Sequence, residues 1–179
     1  RESDGRELPL PQLDEVYSPT WSPDGRTLAI SAMQGGLSDL FLVDVASGRL
    51  SQLTDDAYAD LQPSWSPDGR TLAFATDRFT TNLTRLIFGG YRIGLLDPSS
   101  DIASTPQNIQ LVPAPRGASA LDPAWGPKGA SLFFVADPAG VSNVYRFDRA
   151  SGELFQITDV ATAVSGVTRV SPPVPGNTP

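Results

Sequence analysis

The side chains that could do chemistry here are mostly carboxylates, and none has a histidine or a cysteine to work with. The sequence holds no residue of either type. A Ser-His-Asp triad, a cysteine nucleophile, an imidazole base and a thiolate or imidazole metal site are therefore excluded within this chain. What remains is oxygen chemistry. Asp55, Asp56, Asp60 and Asp122 fall in segments that connect one repeat unit to the next, and Ca²⁺ takes several such oxygen ligands. They lack the Asp-x-Asp-x-Asp-Gly spacing of an EF-hand, and solvated loop acids have the same signature. Asp24-Gly25 and Asp68-Gly69 raise the question of metal ligation or a sialidase-type Asp box. Gly follows Asp directly and the terminal Trp of that box is missing, so a tight turn is the better reading. No catalytic residue, no cofactor and no committed metal site emerges.

Recognition is the other chemistry on offer. Residues 78–90 hold Arg78, Phe79, Arg85 and Phe88, with Gly89-Gly90 as a hinge and Tyr91-Arg92 directly behind. Arginine and aromatic side chains are enriched in binding hot spots, and long loops on a rigid scaffold often carry function. Two readings stand. One is a docking loop with these six residues as partner contacts; the other is a strand extension that packs on its own sheet.

Composition narrows the partners. Net charge is −7 and the hydrophobic fraction is 40%. Nucleic acid and anionic membrane surfaces both call for a surplus of Lys and Arg, which is absent. The opening Arg1-Glu2-Ser3-Asp4 has no apolar run, so no signal peptide is read there. No apolar stretch approaches the roughly 20 residues that span a bilayer.

The elements that must position these residues follow from a repeat. Trp21-Ser22-Pro23-Asp24-Gly25-Arg26-Thr27-Leu28-Ala29 returns unchanged at Trp65-Ser66-Pro67-Asp68-Gly69-Arg70-Thr71-Leu72-Ala73. A worn copy begins at Trp125, with Gly126 for Ser, Lys128 for Asp, and Gly129 retained. In each full unit a short strand ends at the Trp, and Pro and Gly turn the chain. Three more β-like runs follow, near 26–32, 39–45 and 49–54 in the first. The first period is 44 residues (65 − 21) and the second is 60 (125 − 65), with the excess near 78–90 and 98–107. Four strands per unit of ~40–45 residues, apolar on both faces of the central strands, imply sheets stacked around an axis: an all-β propeller. Trp21, Trp65 and Trp125 could line a sugar-binding surface; their common place in the repeat favours packing between blades.

Pro63-Ser64-Trp65-Ser66-Pro67-Asp68-Gly69-Arg70, with a Leu-Ala-Phe strand and a Leu-Thr-Asp exit, resembles the TolB-type, WD-like β-propeller repeat. The runs 75–81 and 158–167 are similar to propeller segments of large exported bacterial proteins. The resemblance implies a non-catalytic interaction scaffold in the cell envelope, periplasmic or otherwise exported. It implies a protein partner, and either the remainder of a propeller or other copies completing the ring. TolB-like propellers also resemble those of prolyl-oligopeptidase-type enzymes. An accessory propeller of a peptidase or glycan hydrolase is therefore the alternative, with a Ca²⁺- or carbohydrate-binding propeller behind it. The expected layout is the last strand of a preceding blade and a connection over 1–17, blades over 18–61, 62–121 and 122–165, and the start of a further blade over 166–179.

Overall fold

Each Trp-Ser-Pro-Asp-Gly stretch ends one strand and turns the chain into the next by the same set of hydrogen bonds. The Ser22 hydroxyl donates to Asp24 Oδ1 (2.6 Å) and accepts from the Thr27 N–H (2.9 Å). The Arg26 N–H donates to the same carboxylate at 3.1 Å. Gly25 closes the turn at φ +69, a conformation that costs any residue with a Cβ. The second copy repeats these contacts through Ser66, Asp68, Arg70 and Thr71, with Gly69 at φ +70. In the third copy Gly129 keeps the left-handed position at φ +70, and Lys128 before it, at the place of Asp24 and Asp68, is left-handed as well at φ +62. Gly126 leaves room for Ser131, whose hydroxyl would lie 2.4 Å from a Cβ at that position.

The turns join strands into meanders. A computed structural model describes residues 7–99 and 108–167. Within them the chain forms three four-stranded antiparallel sheets, each in sequence order. The first comprises β1 (Glu15–Trp21), β2 (Thr27–Gln34), β3 (Leu37–Asp44) and β4 (Leu50–Gln52). The second comprises β5 (Asp60–Trp65), β6 (Leu72–Thr76), β7 (Arg92–Leu96) and β8 (Gln110–Leu111). The third comprises β9 (Ala120–Trp125), β10 (Ser131–Ala136), β11 (Asn143–Asp148) and β12 (Leu154–Gln156). No closed sheet is formed among the described residues, and the arrangement is that of a partial propeller.

Alternation along the central strands gives each sheet two apolar faces. In β2 and β3, Ala29 and Leu40 face one way while Ile30, Ala32, Phe41 and Val43 face the other. The first set, with Leu53, packs against Trp65, Leu72, Phe74 and Leu96 of the second sheet. The second sheet's far face, with Ala73, Ala75, Ile93 and Leu95, meets Trp125, Leu132, Phe134 and Tyr145 of the third. Gly94 in β7 is required for close packing. A Cβ there would lie 2.8 Å from Ile109 and 3.1 Å from the Phe74 ring.

Two boundaries differ from the sequence reading. The first sheet's inner strand begins at Glu15, within the stretch assigned to a preceding unit and its connection. Exposed Glu15, Tyr17 and Ser18 give that strand no apolar alternation to read. Residues 7–14 form no strand. Leu8, Leu10 and Leu13 instead cover the first sheet's outer apolar face, as Leu53 does between the first two sheets. The insertion near 98–107 lies largely outside the described residues, as does most of the further unit expected over 166–179.

The turn geometry predicts opposite effects at two of its positions. Gly25→Ala should destabilise the fold by about 1 kcal/mol, and Lys128→Gly should stabilise it by up to about 1 kcal/mol. Urea midpoints at constant m-value measure both.

Candidate functional site

The second sheet carries the long excursion between its second and third strands, and its root is built into the body of the protein. Asp77, directly after β6, accepts from the Ala59 N–H (2.9 Å) and from the Thr81 hydroxyl (2.7 Å). Asp137, directly after β10, accepts likewise from the Ser119 N–H (2.7 Å). These carboxylates tie the end of a second strand to the connection that enters the same sheet. Arg78 reaches further. Its guanidinium contacts Asp56 (2.9 Å) and Asp60 (2.7 Å), its Nε donates to the Thr76 hydroxyl (3.2 Å), and it lies over the Tyr58 ring.

Asp39, Asp56 and Asp60 come together here, with one oxygen of each within 4.8 Å of the others. Asp39 opens the buried part of β3 and accepts from the Thr54 hydroxyl at 3.2 Å. Thr54 in turn accepts from the Leu40 N–H. Asp60 is fully buried at the start of β5, and its Oδ1 makes no hydrogen bond. Burial raises the Asp60 pKa; the facing Arg78 charge and the adjacent Thr76 and Thr54 hydroxyls limit the rise. Burial also pushes Asp39 up to about 6, with the Thr54 hydrogen bond opposing and the Asp60 and Asp56 charges adding to the shift. For Arg78, burial opposes the charged form, but Asp60 and Asp56 outweigh it and the pKa lies above the ordinary value. The cluster thus already contains its cation. The third sheet shows a neutral version: Thr158 donates to Asn143 Oδ1 (2.9 Å) where Thr54 donates to Asp39.

The candidate residues are split by this arrangement. Arg78 is spent in the acidic cluster. Tyr91 packs against the junction of the second and third sheets. Arg92 donates to the Tyr91 and Ala118 carbonyls. Phe79, Arg85 and Phe88 face solvent, along with Leu86 and Ile87. The tip closes on itself. Asn82 and Ile87 exchange both backbone hydrogen bonds, and Asn82 Oδ1 accepts from the Arg85 N–H, capping a single 3₁₀ turn over Leu83–Arg85. Leu86 takes φ +53. Exposure reaches 74% at Leu86, 55% at Ile87 and 74% at Phe88. Burying each such side chain is worth about 1.5–3 kcal/mol, stabilisation that the isolated chain leaves unused.

The remaining candidates are dispersed. Asp24 and Asp68 bond within their own turns, and the Ser22 and Ser66 hydroxyls followed by a backbone N–H hold both below the usual carboxylate range. Asp55 is exposed beside the cluster. Asp122 lies on the inner strands, where its N–H donates to Gln62 Oε1 (3.0 Å) and Gln62 donates back to its carboxylate. Ser18, Gln62 and Asp122 all sit at φ near +50 (49, 52 and 52), one in each inner strand, where each of the three ladders shifts register. The residues differ in type, so the feature is visible in sequence only through the proline that follows each. These strands line a cleft of about 630 Å³. Trp125 is buried and donates to the Ser64 carbonyl of the sheet before (2.9 Å). Trp65 is buried against the first sheet, and Trp21, with no sheet before it among the described residues, is 55% exposed.

Stacked meanders, two of them with the same Ser-Pro-Asp-Gly turn between their first and second strands, are accompanied by a family match. Residues 12–82 match the TolB beta propeller domain. Residues 12–82 carry TolB-type propeller repeats. Its fold is similar to TolB from Acinetobacter baumannii, with TM-score 0.63 and 23% identity over 84% of this chain and 34% of that one. A TolB-designated protein from Agrobacterium tumefaciens gives TM-score 0.65 and 22% identity over 81% and 50%. A chain from a study of two prolyl endopeptidases gives 0.59 and 15% over 82% and 22%. This TolB-type segment therefore spans a third to a half of the length of the two TolB structures.

The buried cluster predicts a pH signature. Asp39 has a folded pKa above its unfolded value, so its stabilising contribution is present below about 3.8 and is lost as pH rises through about 6. Asp39→Asn, which imitates Asn143, should raise stability at neutral pH by up to about 3 kcal/mol and have little effect near pH 4. Arg78→Met should cost about 3 kcal/mol or more at neutral pH, because it leaves Asp60 charged and buried without its partner. Denaturation midpoints at the two pH values measure both.

Proposed function

We propose that this chain is a non-catalytic propeller segment that serves as a protein-interaction scaffold, exported to a bacterial cell envelope. It docks its partner through the face that carries the excursion between β6 and β7. The observation that supports the reading most is the contrast within that excursion. Its root is held by Asp77 and Arg78, while Leu86, Ile87 and Phe88 at its tip are spread into solvent. A rigid base under an apolar tip lowers the ordering cost of association and keeps the gain from burial. The envelope location rests on the TolB-type repeat, and further blades, from a longer chain or from other copies, would cover Trp21.

The chemistry agrees with a binding role. Without histidine, cysteine or a Gly-x-Ser-x-Gly elbow, an acyl-transfer site would have to lie on other sequence. The likeness to a prolyl endopeptidase chain is a likeness of fold. Asp56 and Asp60 already hold a guanidinium, which argues against Ca²⁺ at that point.

Replacing residues 79–88 by a short Gly/Asn turn should abolish capture of the partner from envelope extract while the circular dichroism spectrum stays unchanged. Retained capture would contradict the assignment of this face. Incubation with peptide and glycan substrates should give no turnover.

A further inference from the structure

Resting on that reading of the face, we infer that the partner segment is cationic and apolar: a stretch of protein that presents lysine or arginine beside bulky aliphatic or aromatic side chains. The apolar half of the argument is the tip, Leu86-Ile87-Phe88, exposed on a self-closed turn with no side chain of the 3₁₀ segment buried. The charge half is what surrounds it. Asp55 and Asp56 lie in the connection beside the loop root, and Asp77 is the root itself. On the other side Gly90 abuts Ser119, which is tied to Asp137. Asp159 follows β12 as Asp55 follows β4, and is exposed. All these acids sit at the same end of the stacked sheets.

The cations at that end do not balance them. Asp39, Asp55, Asp56, Asp60, Asp77, Asp137 and Asp159 stand there against Arg78, Arg85, Arg92 and Arg116 among the described residues, and Arg78 is paired with Asp56 and Asp60. Arg85 and Arg116 are the exposed arginines there among the described residues. The opposite end differs. Its turn acids Asp24, Asp68 and Asp148 alternate with Arg26, Arg70 and Arg149. A net excess of acid around an apolar tip favours a partner of opposite sign, speeds its encounter and disfavours a like-charged one. The same field repels an anionic lipid surface, which rules against membrane insertion of the tip.

The test uses fluorescently labelled amphipathic peptides, one of Lys and Leu and one of Glu and Leu in the same order, titrated into the whole chain. The Lys/Leu peptide should bind, and its affinity should fall as salt rises. It should weaken by about tenfold or more in the Leu86→Ser, Ile87→Ser, Phe88→Ser variant. Neutralising Asp55 and Asp137 to Asn should weaken it by a few fold with the tip intact. Equal binding of the Glu/Leu peptide, or no binding of the Lys/Leu peptide, overturns the cationic assignment; loop-dependent capture from extract would still stand as evidence for the docking face. Lys/Leu binding that the tip variant leaves unchanged overturns both. Tip-dependent sedimentation with anionic vesicles overturns the inference in favour of a membrane.

Discussion

A four-stranded sheet whose central strands are apolar on both faces cannot be stable with only one face covered. That constraint organises this molecule. In β2 and β3 the alternation places Ala29 and Leu40 on one side and Ile30, Phe41 and Val43 on the other. Each side needs its own cover: the second sheet on the Leu40 side, and Leu8, Leu10 and Leu13 on the Phe41 side. The Ser-Pro-Asp-Gly turn supports the repetition, because its hydrogen bonds lie within six consecutive residues and give the first two inner strands the same exit. Trp65 and Trp125 then extend that geometry across the junctions. Trp21, which has the same place in its sheet, stands exposed, and the contrast shows how much of a tryptophan's burial comes from the neighbouring sheet.

Covering the sheets with apolar side chains does not by itself explain the first junction. There the chain buries Asp39 and Asp60 where the third sheet manages with Asn143 and a neutral hydrogen bond. A buried carboxylate pair is costly, and Arg78 offsets that cost at a particular place: the first residue after Asp77 in the long excursion. The ion pair is better understood as a fastening than as a source of net stability, since buried pairs often gain little over apolar packing. It fixes the base of the excursion to the first strand of its own sheet and to the connection that enters that strand, and leaves the tip free of both.

What could be read from the sequence follows the range of the interactions. The turns are local and repeated, so the repeat located them, and β10 and β11 begin and end where the register arithmetic put them. The out-of-register length in the second sheet was legible for the same reason. The inner strand β1 extends further back than its sequence suggests, because Val16 and Tyr17 are adjacent and followed by Ser18-Pro19, which breaks any apolar alternation. The acidic cluster was half legible. Asp56 and Asp60 stand out as carboxylates, but Arg78 joins them only through the pairing of β5 with β6, and Asp39 only when two sheets stack; no periodicity reports either. Arg78, Tyr91 and Arg92 have the side chains of a docking surface and are turned inward, whereas Leu86 and Ile87 have the side chains of a core and are turned outward. Composition cannot tell these cases apart; the backbone closure between Asn82 and Ile87 does.

The resulting picture is a stiff TolB-type stack with one excursion held at its root, an apolar tip and an acidic surround. Amide chemical-shift mapping with a cationic amphipathic peptide tests it most directly. Perturbations should centre on residues 82–88 and extend to the flanking Asp55 and Asp137 connections. Perturbations confined to the inner strands around Trp21, Gln62 and Asp122 would place recognition in the cleft and contradict the account.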